Sequence, residues 1–337
     1  MTSGKTIDTP ETGPAVQVSD GIWRIVLPTP FTVGTVNAYL IDDDPLTLID
    51  TGQRDEAART ALQSGMAEVG YRIEDLERII VSHQHIDHWG LAAELVRCSG
   101  AEVCALSGFA GWLSRVPDPV LAEGTYMRDT VTGHGGTAAA AAMIENDASY
   151  GETLTVDRRL RDGDTLEFAH RTLTVLHRPG HSASDTAFLD ASRGVLLGAD
   201  LLMQKPSAAV LAPRLDGAPA TRRPRALARQ LTSLRTLQTL ELSLVLPGHG
   251  PVVGDHDRVL LRHLERWERM IEDTRRALAE GPLNGIEVAR RVRGNLADRA
   301  PFFALCDVLG CLDVLIDGGL AQETVTGTQV AFHLPEG

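Results

Sequence analysis

One stretch constrains this chain more than any other: Ser82-His83-Gln84-His85-Ile86-Asp87-His88-Trp89, placed directly after the apolar run Ile79-Ile80-Val81. Three imidazoles and a carboxylate fall within six residues, in a chain whose 337 residues hold eleven histidines. A strand that continues briefly past Val81 turns His83 and His85 to the same side, because strand side chains repeat every two residues. Asp87 and His88 then fall in the turn entering the next helix and face a second point nearby. Neutral imidazole with carboxylate is the ligand set of zinc or a similar first-row ion. The fold must therefore bring this segment together with further ligands.

At 337 residues the chain exceeds the usual single-domain size, so one large domain with an appendage is expected. Its net charge of −13 argues against nonspecific attraction to nucleic acid or to an anionic membrane. Cys98, Cys104, Cys306 and Cys311 form no CxxC pair and lie in apolar surroundings, which predicts buried free thiols. Residues 1–20 carry neither a basic start nor an apolar h-region, and no run approaches the roughly 18 apolar residues of a membrane span. A cytoplasmic protein with no membrane partner is expected.

Residues 1–19, rich in Thr, Ser, Gly and Pro, read as a flexible leader before a main domain at 20–254. Strands are expected at 22–27, 36–41 and 46–49, the last running into Asp50-Thr51-Gly52. Asp50 can cap the following helix at 54–70 or hydrogen-bond a metal-ligating imidazole from behind. The second role is preferred, because another strand end delivers the histidines. The rhythm breaks at 108–151, where Trp112, Pro117, Pro119 and the alanine run 138–142 mark a helical insertion. An insertion of this length is either structural padding or a lid over the substrate pocket, and the lid is preferred, with Tyr126 and His134, and Met203 beyond the insertion, as candidate substrate contacts.

Strands resume after 159. Pro179-Gly180-His181 follows one of them, Gly198-Ala199-Asp200 ends another, and Pro247-Gly248-His249 follows the last. The alternation of strands and helices is an α/β pattern. Rigid strands that end at one sheet edge fix ligand distances that loops could not. Singly, His181 and His249 read as turn residues and Asp200 as a helix cap. Joined to the box, they complete a set of seven metal-ligating candidates: His83, His85, Asp87, His88, His181, Asp200 and His249.

These motifs, in this order over residues 20–254, resemble the metallo-β-lactamase fold superfamily. The resemblance implies a four-layer αββα sandwich holding two Zn²⁺ ions, with Mn or Fe as alternative metals. It implies His83, His85 and His181 on one ion, Asp87, His88 and His249 on the other, and Asp200 bridging. Asp87 and Asp200 are then the catalytic carboxylates of a hydrolase in which metal-activated water attacks a carbonyl carbon. The family's flavodiiron branch carries Glu where His85 stands here, which favours hydrolysis over oxygen chemistry.

Residues 255–337 read as a long amphipathic helix, two shorter helices and two strand-like pieces at 320–324 and 329–333, a winged-helix-like outline. This resembles the appendage of the branch holding hydroxyacylglutathione-hydrolase-like enzymes, the lactamase-β-like endoribonuclease and polyketide thioesterases. Acidic neighbours surround Arg290, Arg291 and Arg293, so a packing role is expected, covering the pocket or forming a homodimer surface. The resemblance implies a small-molecule acyl substrate, a thioester or ester. The alternatives are a lactonase, weakened because lactonases of the superfamily usually place Tyr where Met203 stands, and a nucleic-acid-processing enzyme, which the acidic balance opposes.

Overall fold

The structure, a computed structural model, describes residues 15–31, 33–144, 149, 151–206, 215, 223–327 and 329–335. Strands β1 (Val16–Ser19), β2 (Ile22–Leu27), β3 (Val36–Ile41) and β4 (Thr47–Ile49) form an antiparallel meander. Helix α1 (Glu56–Glu68) leads to β5 (Arg78–Val81), and the short α2 (Ile86–Trp89) with α3 (Ala92–Ser99) leads to β6 (Glu102–Leu106). The insertion follows as α4 (Ser107–Leu113), α5 (Asp118–Gly133) and α6 (Ala138–Ala142), after which β7 (Arg158–Leu160) closes the first sheet. Its seven strands lie in chain order, with β4 to β7 parallel.

The second sheet has the order β12-β11-β10-β9-β8. It is built from β8 (Thr165–Glu167), β9 (Thr172–His177), β10 (Thr186–Asp190), β11 (Val195–Ala199), and, after α7 (Ala226–Leu237), β12 (Leu244–Pro247). The chain then continues through α8 (His256–Ala277), α9 (Gly285–Arg293), α10 (Leu296–Arg299), α11 (Pro301–Asp317) and the hairpin of β13 (Gln322–Thr326) and β14 (Gln329–His333).

Strand alternation explains the layers. In β3 all six residues are buried, because both faces of the sheet are covered. Tyr39 and Ile41 join Ile80, Phe188, Leu197 and Leu246 in the core between the sheets. Val36, Ala38 and Leu40 point the other way, to a second core with Leu62 and Met66 of α1 and Leu95 of α3. On the outer face of the second sheet, Ala187, Leu196 and Val245 meet Leu227, Leu231 and Leu234 of α7. Helix, sheet, sheet, helix is the expected four-layer sandwich.

The apolar cluster on that outer face continues without a break across the expected boundary at 254. It takes in Leu264 and Trp267 of α8, Leu305 and Leu309 of α11, and Val131 and Ala141 of the insertion. The C-terminal elements are therefore packed onto the second sheet and its helix and onto the insertion. Among the described residues no helix is long and apolar enough to cross a membrane.

Three local expectations are corrected. Residues 1–14 lie outside the described residues, but Val16–Ser19, assigned to the leader, is a strand paired on β2. Val18 packs on the inter-sheet core there, and a local alternation of only two valines was too short to announce it. Cys98 is exposed near the end of α3, while Cys104, Cys306 and Cys311 are buried, and none of the four is in a disulfide. The first C-terminal strand starts at Gln322 rather than 320, because Leu320 still donates to the Leu315 carbonyl at 2.8 Å and closes α11.

Candidate metal centre

Four strand ends deliver the cluster. β5 ends at Val81 and releases His83 and His85, and α2 carries Asp87 and His88. His181 follows β9, Asp200 follows β11, and His249 follows β12. His83, His85 and His181 form one group and Asp87, His88 and His249 another, each offering ligand atoms within 4.8 Å of one another. Asp200 lies between them. One of its oxygens is 3.2 Å from His181 Nε2 and 3.5 Å from His249 Nε2, and the other is 3.6 Å from His88 Nε2.

The hydrogen bonds behind the imidazoles decide which nitrogens face inward. Asp50 Oδ2 accepts from His88 Nδ1 at 2.7 Å and from Ser82 Oγ at 2.8 Å, and its Oδ1 accepts from the Ser82 amide at 2.9 Å. Because the Ser82 hydroxyl proton goes to Asp50, His83 Nδ1 donates to that hydroxyl at 3.0 Å and keeps its lone pair on Nε2. His249 Nδ1 donates to the Thr35 carbonyl at 2.7 Å, which likewise aims Nε2 inward. Asp50 therefore supports one imidazole of each group, whereas α1 is capped by Asp55. The capping alternative for Asp50 falls away.

These donors fit a pair of divalent cations. His85 Nδ1 lies 3.1 Å from His83 Nε2 and 2.8 Å from His181 Nε2, three nitrogens converging on one point. Among the described residues His88 Nε2 is buried with no hydrogen-bond partner, facing the carboxylates of Asp87 and Asp200. Positive charge at that point satisfies both the lone pair and the carboxylates.

The electrostatics agree. Burial, helped by the neighbouring imidazoles, holds His83 well below its usual range and His85 down at about 3, so both are neutral. Burial pushes Asp87 up, but His88 and His249 outweigh it and bring the carboxyl to about 2. Burial likewise opposes ionisation of Asp200, yet His249 and His88 hold it well below the carboxylate range. On His88 and His249 burial disfavours charge, and the facing carboxylates override it and raise both. The second group draws positive charge, and a metal ion binding there displaces protons.

Two backbone features shape the centre. Asp50 (φ 59) and Ala199 (φ 42) are left-handed although neither is glycine, and each ends a strand that feeds the site. Such conformations cost of order 1–3 kcal/mol and persist where the surroundings over-determine them. Gly248 is required for space: a Cβ there would stand 2.3 Å from Asp200 Oδ1 and 2.8 Å from His88 Cε1. Gly248→Ala is expected to lower stability by about 1–3 kcal/mol through overpacking and to weaken metal retention, read by thermal melts and chelator competition. An alanine variant with unchanged metal affinity would contradict the role given to this close approach.

The structure leaves three sequence candidates outside the cluster. His134 is buried, donates to the Thr130 carbonyl at 2.8 Å, and stacks on Phe332 at 6.1 Å between centroids. Its own carbonyl accepts from Ile286, and a Cβ on the adjacent Gly135 would lie 2.5 Å from the Asn284 side chain. The glycine-rich joint is thus a seam between insertion and C-terminal helices, which corrects the substrate reading of His134. Tyr126 packs against that same C-terminal core, and burial pushes its hydroxyl up to about 12. Met203 is buried, and its carbonyl accepts from His263 of α8 at 2.8 Å.

Other residues behind the centre escape a motif reading. Asn37 Nδ2 donates to the carbonyls of Pro247 (2.8 Å) and Gly250 (2.9 Å), and the Tyr39 hydroxyl donates to Pro247 at 2.7 Å. β3 of one sheet thereby clamps the His249 turn of the other. A buried Asn in an otherwise apolar strand is the signal that could have found it.

The Metallo-beta-lactamase superfamily model matches residues 31–249. A probable metallo-hydrolase of Bacillus subtilis is 29% identical over 321 residues, covering 91% of this chain and 95% of that protein. An atrochrysone carboxyl ACP thioesterase of Aspergillus fumigatus is 23% identical over 80% of this chain, which spans about half (52%) of that relative's length. Among solved structures, a metallo-β-lactamase family protein of Thermus thermophilus superposes with a TM-score of 0.77 at 25% identity, over 95% of this chain and 100% of that one. With this match spanning the box and every later ligand candidate, the chain belongs to the metallo-β-lactamase superfamily.

Proposed function

We propose that this chain is a dinuclear, zinc-dependent hydrolase of a small-molecule thioester or ester. The observation that carries the reading is the Asp200 carboxylate set between two ligand groups, within 3.2 to 3.6 Å of a nitrogen from each. A cation pair held there lowers the pKa of water toward neutrality and polarises a carbonyl oxygen, so no serine or cysteine nucleophile is needed. His83, His85 and His181 would hold one ion, Asp87, His88 and His249 the other, with Asp200 shared. Asp87, ionised and beside His249, is placed to orient water or to carry its proton.

The thioester preference is supported by the curated relative named as an acyl-carrier-protein thioesterase, at 23% identity. The lactonase alternative asks for a phenol where Met203 stands. The nucleic-acid alternative asks for free cations on the C-terminal helices, yet Arg290, Arg291 and Arg293 pair with Asp298, Glu280 and Asp307 at 3.2, 3.3 and 2.9 Å.

The test is a panel of acyl-thioesters, esters, lactones and RNA offered to the purified chain, with metal content measured in parallel. About two zinc equivalents and hydrolysis of thioesters, lost on chelation and restored by zinc, are expected. Full activity after complete chelation would refute the metal reading, and turnover of lactones alone would move the substrate class.

A further inference from the structure

We propose that Glu123, on helix α5 of the insertion, is a positioning residue: it holds Gln84, and through Gln84 it fixes His83 and His85 relative to His181. The proposal rests on the metal-hydrolase reading above and concerns how this chain holds the first ion.

Gln84 stands between the two box histidines and is buried, 2% exposed. All four of its polar groups are engaged. Its amide donates to Ser184 Oγ at 2.9 Å and its carbonyl accepts from Trp89 Nε1 at 3.0 Å. Its side-chain oxygen accepts from Ser184 Oγ at 3.4 Å, and its Nε2 donates to Glu123 Oε1. Ser184 lies three residues after His181, so Gln84 stitches the box to the loop of the third imidazole.

Glu123 decides which way that stitch faces. A primary amide can turn over, exchanging its donor and acceptor ends. As a carboxylate, or as an acid with its proton on Oε2, Glu123 presents Oε1 as an acceptor, which turns the NH₂ of Gln84 to the insertion and its oxygen to Ser184. Glu123 is itself buried, 7% exposed, and burial pushes it up to about 8 although hydrogen bonds from Gln84 and Trp112 draw it down. Oε1 accepts in either protonation state, so the hydrogen bond rather than the charge does the holding. The insertion grips the box at two more points: Trp112 meets the Trp89 ring edge-on at 5.6 Å, and a Cβ on Gly151 would lie 2.4 Å from that ring.

The test is zinc competition with a chromophoric chelator on the full, zinc-loaded chain. Glu123→Ala and Gln84→Ala are each expected to weaken one of the two zinc ions by about 10- to 100-fold, with the other ion less affected. Their double variant should lose no more than the worse single, because both remove one linkage. Glu123→Gln, which keeps an amide oxygen as acceptor, should retain zinc within a few-fold. Val131→Ala, elsewhere on α5, should lower the melting temperature without changing either zinc affinity. Wild-type zinc affinity in both Glu123→Ala and Gln84→Ala, losses that multiply in the double variant, or equal weakening of both ions would overturn the proposal. A wild-type chain that binds no zinc refutes the metal reading itself and is distinguished by that control.

Discussion

Asp200→Ala is expected to lose both metal ions and to lower kcat/KM on the order of a thousandfold or more, while the chain stays folded. The Asp200 carboxylate lies within 3.2 to 3.6 Å of nitrogens from both ligand sets, those of His181, His249 and His88. Without it, His88 and His249 retain only Asp87, and Asp50 in the case of His88, to offset their burial. Each remaining group then offers three protein atoms and no shared oxygen. Folding should survive, because the substitution removes a buried charge and leaves the apolar layers on both sides of β11 untouched. Metal content after gel filtration, circular dichroism and thioester turnover read the three effects separately. Asp200→Asn sharpens the result: it keeps the shape and removes the negative charge, so it should fall with alanine if charge holds the ions. Two retained equivalents in either variant would remove Asp200 from the centre.

Much of this site was legible because strand ends announce themselves. An apolar run ending in Pro-Gly-His or Gly-Ala-Asp carries its own register, and the structure brings all seven candidate side chains to one place. The two strands Ile22–Leu27 and Val36–Ile41 stand where alternation puts them, since each buries one face against helices and the other against the second sheet. What stayed hidden depends on partners remote in sequence. Asn37 meets Pro247 across 210 residues and Gln84 meets Glu123 across 39, and no local spacing encodes either pairing. His134 misled for the same reason. A histidine between glycines resembles an exposed ligand, but its environment is made by Phe332, Ile286 and Asn284, all from the opposite end of the chain.

Asp50→Asn, a change of one atom, is expected to weaken metal binding about 10- to 100-fold, well beyond its effect on stability. The wild-type carboxylate accepts three hydrogen bonds, from the Ser82 amide, the Ser82 hydroxyl and His88 Nδ1. An asparagine offers one oxygen and one NH₂ in their place. With the NH₂ toward the Ser82 amide, two donors confront each other in a buried setting, at a cost of about 1–3 kcal/mol. With the NH₂ toward His88, the imidazole must accept at Nδ1, and its proton moves to Nε2. That is the nitrogen facing Asp87 and Asp200, and protonated it cannot bind a metal ion. The Ser82 hydroxyl loses its acceptor in the same rotamer and is free to donate to His83 Nδ1 instead, which moves the His83 proton to Nε2 as well. In that rotamer one substitution puts the wrong tautomer into both ligand groups. Nitrogen-15 NMR of the two imidazoles would read the tautomers directly, and chelator competition would read the affinity. Unchanged Nδ1 protonation on His88 together with wild-type zinc retention would show that Asp50 only packs behind the site. Ser82→Ala separates the two branches: it should disturb His83 and leave His88, still bonded to Asp50, in its native tautomer.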